Sequence, residues 1–190
     1  MLCLTCKNLS FQIICKDCQN NLLIPAFYKR EIEEGFYNYS FYTLSELEDL
    51  ISSKYYFHGD RVLNILAKLS FAKFAQNFDF QTQILAIPID DHTRHDFSHT
   101  AILAHHLKSK NICPKYNCLK ATNIVKYAGK DLEFREKNPR KFEVSNLTHQ
   151  TTILCDDLIT TGATIRQAKK ALEKQKNQVL FSLTLADAKL

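Results

Sequence analysis

Apolar positions change their spacing along this chain in a way that separates strands from helices. The run Ile84-Leu85-Ala86-Ile87 is apolar throughout and stops at Pro88, which predicts a strand buried on both faces. Thr152 to Cys155 and Val179 to Leu185 predict two more strands, and the aromatic run Phe36 to Tyr42 has strand composition as well. Helical spacing appears between them. Thr43-Leu44-Ser45-Glu46 has the spacing of a capping box and predicts a helix over 44–53. A second helix is predicted from Asp60 to about Gln76, with Val62, Ile65, Leu66, Leu69 and Phe71 to Phe74 on its apolar side. Phe97 to Leu107 and Thr164 to Lys176 predict two more, the latter with Ala168, Ala171 and Leu172 inward. Strands alternating with helices predict an α/β fold with a mainly parallel sheet, whose ligands bind at the carboxyl ends of the strands.

The first twenty residues break this pattern, being too short to bury a core of their own. They carry Cys3-x-x-Cys6 and Cys15-x-x-Cys18, four thiolates from two tight turns, the ligand set of a closed structural zinc site. Residues 25–35, with Pro25 and a mixed-charge stretch, are expected to be a linker. The predicted organisation is therefore a zinc-binding module over 1–24 and an α/β domain over 36–190, and metal removal is expected to unfold the module while sparing the larger domain. Cys113 and Cys118, flanking Pro114, are read as small packed residues, and Cys155 as a buried strand residue.

Composition narrows the setting. With 190 residues, 45% hydrophobic and 24% charged, the chain has room for one sizeable core. No apolar run approaches the roughly 18 residues of a membrane span, and the cysteine-bearing start does not resemble a leader. Paired cysteines suit metal binding in a reducing compartment, so a soluble, unprocessed, cytoplasmic protein is expected. The formal charge of +5 is concentrated between Lys108 and Lys141, where Lys120, Lys126, Lys130 and Arg135 are candidate phosphate contacts for nucleic acid. The charge pattern equally fits a solvated lysine-rich face. His92, His95 and His99 read as ordinary donors near an anionic ligand in preference to a metal site, and the aromatics of 36–42 as packed residues.

The most informative segment is Cys155-Asp156-Asp157-Leu158-Ile159-Thr160-Thr161-Gly162-Ala163-Thr164. An apolar strand stops at two carboxylates and turns through hydroxyl residues and a glycine into a helix. Amides at the helix start and the threonine hydroxyls suit a phosphate, while Asp156 and Asp157 would repel it and suit a sugar diol or magnesium-bound water. No lysine follows the glycine, so this is not a Walker loop.

These residues resemble, over Ile153 to Ile165, the ribose-phosphate motif of type I phosphoribosyltransferases. The resemblance then extends to the ComF family of competence-associated phosphoribosyltransferase-like proteins, through the cysteine-bearing start, Ile87-Pro88, Arg94-His95-Asp96-Phe97, Arg135-x-x-Asn138 with Phe142, and the terminal loop. It implies a type I phosphoribosyltransferase-like fold that binds phosphoribosyl pyrophosphate with magnesium. Thr160, Thr161, Gly162, Ala163 and Thr164 would hold the 5′-phosphate, Asp156 and Asp157 would hold the ribose as catalytic residues, and Pro88, Ile89 and Arg94 would meet the pyrophosphate. It further implies a role in natural transformation, with single-stranded DNA and the inner-membrane DNA-uptake machinery as partners and without direct membrane insertion. Two alternatives stand beside it: an active phosphoribosyltransferase with an unidentified acceptor, and a non-catalytic protein regulated by phosphoribosyl pyrophosphate. Asp90 and Asp91 depart from the family, which has positive charge there; they face away, bind magnesium, or weaken turnover.

Overall fold

A computed structural model describes residues 1–90, 92–93, 97–123 and 140–190. Strands β1 (Tyr28–Glu33), β2 (Phe36–Thr43), β3 (Ile84–Pro88), β4 (Ile112–Pro114), β5 (Leu119–Ala121), β6 (Phe142–Val144), β7 (Thr151–Ile159) and β8 (Gln178–Asp187) build two sheets. The larger has the order β1-β2-β8-β7-β3-β4, parallel throughout except for the antiparallel edge pair β1 and β2. The smaller is the antiparallel pair β5 and β6. Helices α1 (Lys16–Asn21), α2 (Leu44–Ile51), α3 (Gly59–Leu69), α4 (Phe71–Asn77), α5 (His99–His105) and α6 (Ala163–Lys174) join them, with a 3₁₀ turn at Ser52–Tyr55. The fold is mixed α/β, as the alternation of periods predicts.

One core cluster joins residues of α2, α3, α4 and α5 to the sheet through Leu47, Leu63, Leu66, Phe71, Leu103 and Ile153. A second joins Ile165, Ala168 and Leu172 of α6 and Leu119 of β5 to Ile87 and Leu154. Central strands are therefore buried on both sides, which is why β3 and the first half of β7 read as unbroken apolar runs. The capping box forms as predicted, with the Glu46 amide donating to Thr43 Oγ1 at 3.3 Å and the Thr43 amide to Glu46 Oε2 at 2.6 Å.

Three expectations are corrected. The segment read as a linker contains β1, an edge strand whose alternation of half-buried and exposed residues was masked by its charges. The helix expected over 60–76 breaks at Ser70, whose hydroxyl donates to Leu66 O at 2.7 Å and competes with the helical ladder, turning Phe71 into the core. The strand expected to stop at Cys155 continues to Ile159, because Asp156, Leu158 and Ile159 pair with Thr184, Ala186 and Asp187 of β8. Asp156 and Asp157 thus belong to a strand, where successive side chains leave on opposite sides.

Sheet order also places a crevice. From β3 the chain proceeds outward to β4 on one side, then returns to β7 and β8 on the other, so the connections reverse between β3 and β7. In open α/β sheets such a reversal, at the carboxyl ends of the two strands, is where ligands bind.

Candidate functional site

The turn after β7 is shaped by Gly162, whose φ of +78° is a left-handed conformation that suits glycine. A β-carbon there would lie 3.2 Å from Arg166 Nη1 and 3.3 Å from Ile32 Cβ. Gly162 is also the N-cap of α6 and supplies no side-chain cap, so the first-turn amides lack intrahelical partners. The Ala163 amide makes a long bond to Thr161 Oγ1, 3.4 Å. Two arginines hold the loop from outside: Arg30 Nη2 donates to Thr160 O at 2.9 Å, and Arg166 Nη1 donates to Thr161 O at 3.0 Å and Ile32 O at 3.2 Å. Arg30 is itself paired with the buried Asp187 at 2.7 Å. With the carbonyls of Thr160 and Thr161 engaged, the loop lines an open hollow bounded by Asp156 and Leu158 to Ile165. A helix N-terminus with hydroxyls beside it is an anion site.

The two aspartates part company. Asp156 lines the hollow and its Oδ1 accepts the Asp157 amide at 2.9 Å. Asp157 is buried against Lys54 Nζ at 2.5 Å and His99 Nε2 at 3.8 Å, both on its Oδ2. Burial opposes ionisation of Asp157, but the Lys54 ammonium and then His99 outweigh it and hold its carboxyl well below the usual carboxylate range. Burial and the neighbouring Asp157 charge push Asp156 the other way, well above that range. Burial alone would lower Lys54, yet the Asp157 charge leaves its pKa raised. Lys54, from the 3₁₀ turn, was not anticipated; His99, at the first turn of α5, was read only as one donor among several. No local signal marks Lys54, since its partner lies 103 residues away.

The loop after β3 brings Pro88 and Ile89 beside β7, with Pro88 opposite Cys155 and the Ile89 amide donating to Cys155 O at 2.9 Å. Both are buried, and neither lines the hollow after β7. Asp90 turns towards the small sheet: Arg140 Nη1 lies 3.0 Å from its Oδ2, the Ala121 amide donates to Oδ1 at 3.1 Å, and His92 Nε2 is 3.5 Å from Oδ1. Lys120 lies on β5 opposite Glu143. Arg94, Asp91, Lys126, Lys130 and Arg135 fall outside the described residues. Cys118 and Cys155 are buried as expected.

The four cysteines of the N-terminus converge. The Sγ atoms of Cys3, Cys6, Cys15 and Cys18 lie within 4.8 Å of one another. The separations of 3.9 Å for Cys3 to Cys18 and 3.7 Å for Cys6 to Cys15 match the roughly 3.8 Å edge of a tetrahedron built on Zn–S bonds of about 2.3 Å. Burial pushes the Cys3 thiol up, but the amides of Cys15, Cys6 and Thr5 outweigh it and bring it down to about 6, suited to a thiolate ligand. Donor set and spacing both fit zinc. Cys3, Ile13, Ile14, Cys18 and Leu23 share one cluster with Tyr42 and Leu47 of the α/β core, and Tyr42 donates to Leu23 O at 3.1 Å.

The fold and this site define a mixed α/β protein with a mostly parallel sheet flanked by helices and an N-terminal four-cysteine cluster. Solved structures similar to it include a UMP synthase from Leishmania donovani, with a TM-score of 0.41 and 15% identity over 74% of this chain and 24% of that one. A hypoxanthine phosphoribosyltransferase from Staphylococcus aureus has a TM-score of 0.40 and 12% identity, covering 66% of this chain and 62% of the other. An adenine phosphoribosyltransferase has a TM-score of 0.35 and 15% identity, covering 88% and 89% of the two chains. The chain thus spans less than two thirds of the first two structures. No family model matches the sequence, and no curated protein sequence matches it.

Proposed function

We propose that this protein binds phosphoribosyl pyrophosphate and has a phosphoribosyltransferase-type function. One observation carries the reading: the hollow joins an uncapped helix N-terminus, three threonines and Asp156 of β7 beyond the carboxyl end of a central strand. The amides of the α6 first turn with Thr160, Thr161 and Thr164 hold the 5′-phosphate, and Gly162 and Ala163 let the backbone approach it. Asp156 accepts from a ribose hydroxyl. Asp157, on the opposite side of β7 and paired with Lys54, anchors the strand that presents Asp156 to the ribose. Pro88 and Ile89 wall the pyrophosphate side. Magnesium, when it accompanies the ligand, neutralises the pyrophosphate leaving group, and Asp156 is the carboxylate placed to orient it through water. With the ligand so held, displacement at the anomeric carbon is mainly a matter of positioning and electrostatics.

Calorimetry with phosphoribosyl pyrophosphate and ribose 5-phosphate tests the assignment. Thr161→Val and Asp156→Asn should each weaken binding by about 1–3 kcal/mol, since each leaves a polar partner unsatisfied. Unchanged affinity in both variants would refute it. Release of pyrophosphate distinguishes an enzyme from a non-catalytic protein regulated by the same ligand.

The finer reading is a ComF-type protein of natural transformation that handles single-stranded DNA in the cytoplasm beside the inner-membrane uptake machinery. Its support is the resemblance in sequence order, the +5 charge and Lys120 on β5. Among the described residues no helix is long and apolar enough to cross a membrane. Fluorescence anisotropy with unrelated oligonucleotides should show affinity that falls steeply with salt and is indifferent to sequence. Equal binding by a Lys126→Glu, Lys130→Glu variant would remove that surface from consideration.

A further inference from the structure

Among the described residues, no lysine or arginine lines the hollow after β7, although the ligand proposed for it carries a phosphate dianion close to Asp156. Amides and hydroxyls alone would have to balance that charge. Positive charge stands one layer behind the loop instead. Arg166 Nη1 lies 3.2 Å from where a β-carbon of Gly162 would sit, so the absent side chain is what lets the guanidinium reach the loop. From there it donates to Thr161 O at 3.0 Å and Ile32 O at 3.2 Å, and among the described residues it makes no ion pair. Arg30 of β1 reaches the neighbouring peptide, its Nη2 donating to Thr160 O at 2.9 Å, but its Nη1 is held by the buried Asp187 at 2.7 Å. Burial lowers the Arg30 pKa, the Asp187 charge opposes that, and the Arg166 charge adds to it, so the two guanidiniums feel each other behind the loop.

The carbonyl and amide of a trans peptide point in opposite directions. With the Thr160 and Thr161 carbonyls turned to the arginines, the amides of Thr161 and Gly162 turn the other way. Both residues line the hollow, and among the described residues neither amide donates a hydrogen bond. Successive free amides of this kind form an anion-binding concavity. A guanidinium that donates to a carbonyl also polarises its peptide, which strengthens the amide at the far end as a donor. We propose that Arg166 and Arg30 are positioning residues of the phosphate site with separate tasks. Arg166 supplies the net positive charge through the Thr161–Gly162 peptide, and Arg30, balanced by Asp187, holds the Thr160–Thr161 peptide with its amide towards the ligand. A partly buried charge one peptide away is weakly screened, so the site selects a dianion over a monoanion of the same shape. The inference rests on the ribose-phosphate reading above and adds the source of its charge.

Calorimetry on the full chain at about pH 8 compares ribose 5-phosphate, a dianion there, with ribose 5-sulfate, which has the same tetrahedral end and a single charge. The natural protein should bind the phosphate about tenfold tighter than the sulfate. Arg166→Met should narrow that ratio to about threefold or less, and Arg166→Lys, which keeps the charge, should restore most of it. Arg166→Met strands no carboxylate, so the fold should survive it. Arg30→Lys keeps the pair with Asp187 but cannot fork to Thr160 O as well, so it should weaken both ligands by about threefold and leave their ratio unchanged. A ratio near one in the natural protein, a ratio unchanged in Arg166→Met, or one that Arg166→Lys fails to restore overturns the charge assignment and leaves the ribose-phosphate reading intact. Unchanged affinity or a narrowed ratio in Arg30→Lys overturns the task given to Arg30. Absence of ribose 5-phosphate binding to the natural protein overturns both this inference and the reading beneath it.

Discussion

Asp156 and Asp157 are neighbours with opposite environments, and the difference is measurable. Lys54 and Asp157 are an ion pair with side chains 15% and 8% exposed, so removing one partner strands a buried charge. Lys54→Met should destabilise the protein by about 3 kcal/mol near neutral pH, read by denaturant unfolding. In the natural protein the folded state lowers the Asp157 pKa, so the pair contributes fully above pH about 4, where an unfolded aspartate is ionised. That contribution is lost as pH falls through the lower folded value. In the variant the gap to the natural protein should close on acidification, as Asp157 takes up a proton. A gap independent of pH would show that Lys54 acts through packing alone. Asp156, whose ionised form is disfavoured by burial and by Asp157, is the complementary case, a carboxylate kept at a cost to stability. Asp156→Asn should therefore raise the melting temperature near pH 7 by about 2–4 °C while weakening ribose phosphate binding.

The loop after β7 depends on two elements that are distant in sequence. α6 supplies the amides, and β1 supplies Arg30 and Ile32, which brace the loop from behind. Gly162→Ala would place a non-glycine residue at φ +78° and push against Ile32, which should cost about 1–2 kcal/mol in stability and weaken phosphate binding, read by thermal melting and calorimetry. Between Ile153 and Ile165 the start of the strand, the turn and the helix were legible because each signal is local, an apolar run, a glycine where the chain must take a left-handed turn and inward residues at helical spacing, whereas the strand's extension to Ile159 was not. β1 was not legible. It buries only one side and carries Lys29, Arg30, Glu31 and Glu33, so its composition resembles a solvated link, and only pairing with β2 makes it a strand.

The four-cysteine segment and the α/β core share one apolar cluster, so the loss of a metal held there is expected to reach further than the segment. The sequence suggested independent units, since four cysteines in a short segment need nothing else to fold. With Cys3, Ile14, Cys18 and Leu23 packed among residues that include Tyr42 and Leu47, chelation should lower the melting temperature of the whole chain by at least about 5 °C. It should also raise fluorescence of a dye that binds exposed apolar surface. Calorimetry showing an unshifted main transition after chelation would restore the view of separable parts.

Local pattern was enough for the two Cys-x-x-Cys pairs, the capping box at Thr43 and Glu46, and the glycine turn into α6, because in each the partners sit a few residues apart and geometry follows from spacing. Packing alone decided that Lys54 and His99 converge on Asp157, that Arg140 turns to Asp90, and that β7 runs on past its two acids. Those contacts join groups as far as 103 residues apart, and their existence depends on the order of strands in the sheet. Strand order is set by how the two apolar clusters close around the sheet, a property of the folded chain that no short window of residues carries.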